Sequence, residues 1–281
     1  MKRNEINFIS ADNGLLLNIL NDGLSNSFKR GKIKSFLEHS QVSINGVVTT
    51  KYNYPVQKGD SVSVCLTPSN NIKIPFEVIY EDNYLIAINK PPGILSVATD
   101  SEKENTAFRI LKECGKTVFV VHRLDRDTSG VLLFAKSREV KEKLQKNWDS
   151  TLYREYIAVC EGVFKEKSGR AESYLKESKT HIVYSDKFGK NGKKAITNYE
   201  VIKTSKKYSW LRINIETGRK NQIRVAMKDL GHPIAGDKKY GALTNPFKRL
   251  GLHASVLKII HPVTEKVATF EAKIPRCFIS L

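Results

Sequence analysis

His122-Arg-Leu-Asp-Arg-Asp-Thr-Ser-Gly130 joins two apolar runs, Val118–Val121 and Val131–Ala135. Runs of this length on either side of a Thr-Ser-Gly turn signal predict two strands and a connecting loop. Strand joints are ordinarily short and neutral. This one carries two aspartates and two arginines. A solvated turn with two ion pairs would account for that charge. So would a catalytic loop held on a rigid sheet, where reactive groups concentrate.

Further strands are predicted outward from this joint. Before it stand Phe76–Tyr80 and Tyr84–Asn89; after it come Tyr153–Cys160, Asn198–Thr204 and Tyr208–Ile215. Helical spacing appears over Ser137–Trp148, through Val140, Leu144 and Trp148, and over Arg219–Leu230. There Thr217 is the expected N-cap, Ile223, Met227 and Leu230 form the expected apolar face, and Gly231 ends the helix. Strands outnumber helices and alternate with them irregularly, so the predicted class is α+β rather than doubly wound.

Residues 12–66 read as a separate small unit of helices and a β-hairpin. Leu15–Leu24 and Lys32–Leu37 have helical spacing, and Asn45-Gly46 between Val42–Ile44 and Val47-Val48 is a hairpin signal. A second turn, Lys58-Gly59-Asp60, precedes the alternating Val62, Val64 and Leu66. Residues 67–75 are polar and read as a linker, leaving 76–281 as the larger domain.

The chain has 281 residues, a formal net charge of +18 and 40% hydrophobic residues. That composition supports a sizeable core, and the charge points to a polyanionic partner, nucleic acid first. Arg219, Lys220, Arg224, Lys228, Lys238, Lys239, Lys248 and Arg249 crowd one stretch against Asp229 and Asp237. Lys187, Lys190, Lys193 and Lys194 form a second. No apolar run approaches the ~20 residues of a membrane span, and the opening residues lack a secretory apolar region, so the cytoplasm is the expected location. Cys65, Cys114, Cys160 and Cys277 are scattered, as are the histidines. No disulfide framework or metal site is expected, and no nucleotide-cofactor loop is present. No heptad pattern appears, and a monomer is expected.

The order His-Arg-Leu-Asp-Arg-Asp-Thr-Ser-Gly followed by Val-Leu-Leu-Phe-Ala-Lys resembles the signature of the RluA-type pseudouridine synthases, which isomerise uridine in RNA. More segments resemble that family in order. They are Tyr84–Gly93 with its Lys-Pro turn, Arg154-Glu-Tyr156-Ile-Ala158, Thr217-Gly-Arg-Lys-Asn-Gln-Ile-Arg224, Gly231–Asp237, Lys239-Tyr-Gly241 and Leu252-His253-Ala254. Residues 12–66 resemble the alpha-L RNA-binding domain, with Gly14-Leu15-Leu16-Leu17 where that domain opens Arg-Leu-Asp.

The resemblance implies a mixed, mainly antiparallel catalytic sheet and a reaction without cofactor. It assigns Asp125 as the carboxylate that attacks the sugar or takes a neighbouring proton. Asp127 matches only a flanking position. Arg224 is implied as the partner that keeps Asp125 ionised. Tyr156 is implied to stack on the target base and move a proton late, with Ile223 closing an apolar wall. Arg123, Arg126, Arg154, Arg219 and Lys220 are the expected RNA contacts. Asn221 and Ala226 stand where the family commonly has histidines, which points to altered RNA contacts or helix packing. The expected substrate is large-subunit ribosomal RNA, with transfer RNA second. A non-catalytic RNA-binding or ribosome-assembly protein is the alternative reading, and an RNA methyltransferase lacks its glycine-rich cofactor loop here.

Overall fold

The computed structural model describes residues 5–66, 74–99, 102–146, 148, 153–186, 189 and 192–280. Lys187, Lys190 and most of the linker expected at 67–75 lie outside them. Two compact units separate: the described part of Met1–Pro75 with Ala107–Val118, and that of Phe76–Thr106 with Phe119–Leu281.

The first unit runs through β1 (Glu5–Ile9), β2 (Gly14–Leu15), α1 (Leu16–Leu24), α2 (Arg30–Glu38), β3 (Val42–Ile44), β4 (Val47–Val48), β5 (Pro55–Val56) and β6 (Ser61–Cys65). A sheet of order β1-β6-β3-β4 forms beside the small β2-β5 pair. Asn45 and Gly46 take φ of 50° and 81°, the positive values a two-residue hairpin turn needs. Leu16, Leu20 and Leu24 of α1 meet Ile33, Phe36 and Leu37 of α2 over Val42, Ile44, Val62 and Val64. The helix α3 (Ala107–Glu113) belongs here too: Arg109 donates to Thr50 Oγ1 at 2.6 Å and pairs with Glu113 at 2.9 Å.

The second unit is built on one sheet. Its strands are β7 (Val78–Glu81), β8 (Leu85–Lys90), β9 (Phe119–Val120), β10 (Ser129–Ala135), β11 (Tyr153–Glu161), β12 (Ser168–Glu177), β13 (Val183–Ser185), β14 (Lys193–Thr204), β15 (Tyr208–Ile215), β16 (Leu252–Ile260) and β17 (Val267–Glu271). They pair in the order β13-β12-β14-β15-β11-β16-β10-β8-β7, with β17 on β16 and β9 on β10. Pairing is antiparallel except between β10 and β16, so the sheet is mixed and mainly antiparallel, as expected. Helices α4 (Arg138–Lys146), α5 (Gln222–Asp229) and α6 (Arg276–Ile279) complete the unit. None of the described helices is long and apolar enough to cross a membrane.

Strand β10 is buried at every residue, which explains its unbroken apolar run: it is covered on both faces. At its start Gly130 has φ 114° and pairs in parallel with Ala254. A Cβ there would lie 2.1 Å from the Ala254 carbonyl oxygen. Gly130→Ala therefore combines backbone strain with a clash in the parallel pair. The expected cost is about 3 kcal/mol, seen in calorimetry as a Tm lowered by about 6–12 °C. A Tm matching wild type would contradict this packing.

The expected helix over Arg219–Leu230 starts later, at Gln222, and Thr217 is not its N-cap. Asn221 occupies that position with φ 54° and makes no capping hydrogen bond. The left-handed turn at Asn221 separates Thr217 from the helix. Thr217 Oγ1 instead accepts from the Ile196 N–H at 2.9 Å and donates to Gln222 Oε1 at 2.8 Å. Leu230 is 38% exposed, so the apolar face consists of Ile223, Val225, Ala226 and Met227. The helix expected to reach Trp148 ends at Lys146.

Candidate active site

The charged loop between β9 and β10 is pinned from beneath. Ser96 is buried; its hydroxyl donates to the Leu124 carbonyl at 2.8 Å and accepts from the Leu124 N–H at 2.9 Å. Gly93 N–H donates to the Arg126 carbonyl at 2.9 Å. Lys90 is fully buried, and its ammonium donates to the carbonyls of Pro91, Ile94 and Arg126 at 2.9–3.0 Å. Burial lowers the Lys90 pKa to about 7, against the pull of Asp127 and Asp125. The Lys-Pro-Pro-Gly turn and Ser96 thus hold Asp125 from both sides. Behind the loop, His122 Nε2 accepts from the Leu133 N–H at 3.0 Å, and its ring stacks on Trp148. Desolvation drives the His122 pKa down to about 3, leaving it neutral.

Asp125 opens into a cavity of about 760 Å³. About 30% of its side-chain surface is exposed there. Protein surrounds the carboxyl closely, and this desolvation raises its pKa above the ordinary value; Arg224 and Lys90 pull it down, while Asp237 adds to the rise.

Arg224 projects from the first turn of α5 to within 3.6 Å of Asp125. Its stronger partner is Asp237, in a two-pronged pair with both contacts at 2.7 Å. The expected pair of Arg224 with Asp125 thus stands beside a second, closer one with Asp237. Only Asp237 meets the guanidinium fork edge-on, and its side chain is 1% exposed. Nη1 of Arg224 also donates to Asn221 Oδ1 at 3.2 Å, and the guanidinium lies 4.8 Å over the Tyr240 ring. Asn221 Nδ2 donates to the Tyr240 hydroxyl at 3.0 Å. Asn221 therefore supports the arginine, and Ala226 is buried in the apolar cluster under the helix. Gln222 anchors the helix start, donating to the Ile196 carbonyl at 2.9 Å and Thr197 Oγ1 at 3.1 Å.

Tyr156 follows a register shift at which β11 skips Ser255 of β16. It lines the cavity with Ile223, which is 5% exposed. Desolvation raises the Tyr156 pKa to about 12, opposed by Arg154, so the phenol keeps its proton at neutral pH.

The remaining expected contacts divide. Arg123 and Arg126 are exposed beside Asp125, and Asp127 is exposed as well; all three line the cavity. Lys220 is exposed at the rim but bonded to Glu177, and Arg219 donates to the Lys194 carbonyl at 3.1 Å. Arg154 is 6% exposed and donates to the Glu216 carbonyl at 2.7 Å, so it is part of the cavity wall rather than a free surface cation. Arg249 is likewise drawn inward, donating to Ser129 Oγ at 2.6 Å. The basic stretch 219–249 is therefore partly internal wiring. Among the described residues no group of His, Cys, Asp or Glu is placed to hold a metal ion.

Asp125, Arg224, Tyr156 and Ile223, singled out from the sequence, all line one cavity. Asp237, Tyr240, Lys90 and Ser96 were not singled out; the first three lie inside the motifs quoted above, and for Asp237 and Lys90 the available signal was a charged residue set in an apolar or turn context.

The profile of the family described as RNA pseudouridylate synthase matches residues 84–229. The uncharacterized RNA pseudouridine synthase YhcT of Bacillus subtilis is 31% identical, over 93% of this chain and 93% of its own. The ribosomal large subunit pseudouridine synthase D of Borreliella burgdorferi is 34% identical, over 90% of this chain and 84% of its own. In fold, human RNA Pseudouridylate Synthase Domain Containing 1 superposes with a TM-score of 0.62 at 22% identity, covering 72% of this chain and 84% of that one. The chain belongs to the RNA pseudouridylate synthases of the RluA type, isomerases that convert uridine to pseudouridine in RNA.

Proposed function

We propose that this chain isomerises uridine in large-subunit ribosomal RNA, with Asp125 as the reacting carboxylate. One observation carries the reading: Asp125 stands in the cavity beside Arg224, with Tyr156 and Ile223 in the same walls. The carboxylate either attacks the anomeric carbon or removes a neighbouring proton. The base is released from the sugar, turns, and rejoins through a ring carbon; in the first route this expels the carboxylate, in the second the removed proton returns to the sugar, and in both the ring carbon loses its proton while the freed ring nitrogen gains one. Tyr156 supplies a flat wall for the base and a protonated phenol for the late proton transfer. The target uridine leaves its stack to enter, at a cost of a few kcal/mol. Arg123, Arg126 and Arg219 hold the strand around it, while Arg154 shapes the wall.

The choice of large-subunit RNA rests on relatives that carry that substrate in their names, from Borreliella burgdorferi and, at 28% identity, Pasteurella multocida. Residues 12–66 serve as an RNA-binding domain, and 76–281 hold the chemistry. The protein works as a monomer in the cytoplasm. Mapping pseudouridine in ribosomal and transfer RNA from cells lacking this protein tests the assignment. Loss of a large-subunit site is expected; loss confined to transfer RNA would overturn the substrate. Because binding rests on phosphate contacts, affinity is expected to fall by about 0.7–0.9 log units per log unit of salt for each contact made. Filter binding at several salt concentrations measures that slope, and a flat response would contradict it.

A further inference from the structure

The position of Arg224 raises a question that its match to the family motif does not answer. The guanidinium is within reach of the Asp125 carboxylate, yet its two best hydrogen bonds, both at 2.7 Å, go to Asp237. Asp237 is 2% exposed and is not among the residues lining the cavity. It cannot touch an RNA from there. A buried, doubly bonded carboxylate beside the reacting pair is either wiring for the fold or wiring for the reaction.

We propose that Asp237 is a positioning residue of the isomerisation: it holds Arg224 at a fixed distance from Asp125 and balances its charge. This inference rests on Asp125 being the reacting carboxylate. In either route Asp125 gives up its negative charge as the transition state forms, to a sugar carbon or to a proton. An arginine clamped edge-on to Asp125 would stabilise the starting carboxylate more than the transition state and slow the step. An arginine absent altogether would let the desolvated carboxyl protonate. Asp237 produces the intermediate condition. With its fork on Asp237, Arg224 stands 3.6 Å from Asp125 through Nη1.

The rest of the cradle restricts the arginine in the same sense. Asn221 takes one Nη1 hydrogen bond, and the Tyr240 ring blocks one guanidinium face. Asn221 can adopt φ 54° because asparagine tolerates the left-handed region. The groups bearing on Asp125 are Arg224 from α5, Asp237 from the segment after it, Lys90 from the end of β8, and Tyr156 from β11. Arg154 bears on Tyr156, and Asp127 on Lys90. Of these, Asp237 is the group placed to act on Asp125 both through Arg224 and by its own charge.

The sign follows. The charge of Asp237 favours protonated Asp125, and the fork keeps Arg224 from favouring the carboxylate further. Removing that charge lowers the Asp125 pKa by both routes.

The test uses the full chain in single-turnover pseudouridine formation on a large-subunit ribosomal RNA transcript, with the rate followed from acid to neutral pH. Asp237→Asn is expected to slow the neutral-pH rate by about 10–100-fold, to change RNA affinity by less than about threefold, and to move the acid limb to lower pH. Asp237→Glu keeps the charge and is expected to leave the acid limb at its wild-type position while slowing the rate. In an Arg224→Gln background, Asp237→Asn is expected to cost little more, because both changes act through one guanidinium. An unmoved acid limb in Asp237→Asn, or costs that add fully to those of Arg224→Gln, would overturn the proposal. If Asp237→Asn does not fold, Asp237→Glu decides: a limb at the wild-type pH supports the role, and a limb moved to lower pH overturns it. A wild-type chain that forms no pseudouridine in any RNA overturns the reading of the site itself. An active wild type matched by Asp237→Asn overturns only the role of Asp237.

Discussion

Asp125→Asn is expected to lower the rate of pseudouridine formation by at least about 10⁴-fold while leaving RNA affinity within about threefold. Asparagine has the shape of aspartate and fits the same loop. The Asp125 carbonyl still accepts from the Thr128 N–H, and Ser96, Gly93 and Lys90 still hold Leu124 and Arg126. The amide can neither attack the anomeric carbon with a free electron pair of useful basicity nor take a proton. The exposed Arg123 and Arg126, proposed above to hold the RNA strand, are untouched. A large loss in rate with intact binding is thus the signature of a reacting group. A matching loss of affinity would instead mark Asp125 as a structural or RNA-contacting residue.

Arg224→Gln is expected to act on stability and on pH dependence together. The Asp237 carboxylate, 1% exposed, loses both guanidinium donors and remains buried. Breaking one side of such a pair costs about 3–5 kcal/mol, measurable in urea denaturation. At Asp125 the largest influence lowering its pKa disappears, while desolvation and the charge of Asp237 continue to raise it. The carboxylate then forms only at higher pH, so the acid limb of the rate profile moves up. Arg224→Lys keeps the charge without the fork and is expected to recover part of the pH behaviour but little of the stability. An Arg224→Gln enzyme with wild-type stability and an unmoved limb would show that neither carboxylate depends on this arginine.

Local features of the fold were legible in the sequence. The Asn45-Gly46 hairpin is dictated by the two positive φ values that asparagine and glycine tolerate. The uniform apolar run of β10 marks a strand covered on both faces, and β15 is recognisable for a related reason. Strand β12 was not legible. Half of its residues Ser168–Glu177 are exposed and six of the ten are charged or polar, so no apolar run announces it; its register comes from pairing with β14. Thr217 had the chemistry of an N-cap, but the left-handed turn at Asn221 depends on contacts to β14 that no local pattern encodes.

For the site, motif order brought Asp125, Tyr156 and Arg224 together, but the ranking of partners could not be read from it. Whether Arg224 turns its fork to Asp125 or Asp237 depends on where the segment after α5 returns. That is a long-range matter of packing and charge. The same limit applies to the basic surface. Counting cations put Arg224 and Arg249 with the RNA-facing charges, whereas burial commits them to Asp237 and Ser129.

The most direct measurement compares wild type, Asp125→Asn and Asp127→Asn on one large-subunit ribosomal RNA transcript, with pseudouridine counted after digestion to nucleosides. The two aspartates share a loop and a sequence context, and both line the cavity, but only Asp125 stands beside Arg224. Wild type and Asp127→Asn are expected to convert the target uridine, and Asp125→Asn to leave it unchanged. Conversion by Asp125→Asn at the wild-type rate, or loss of activity in Asp127→Asn alone, would contradict the account.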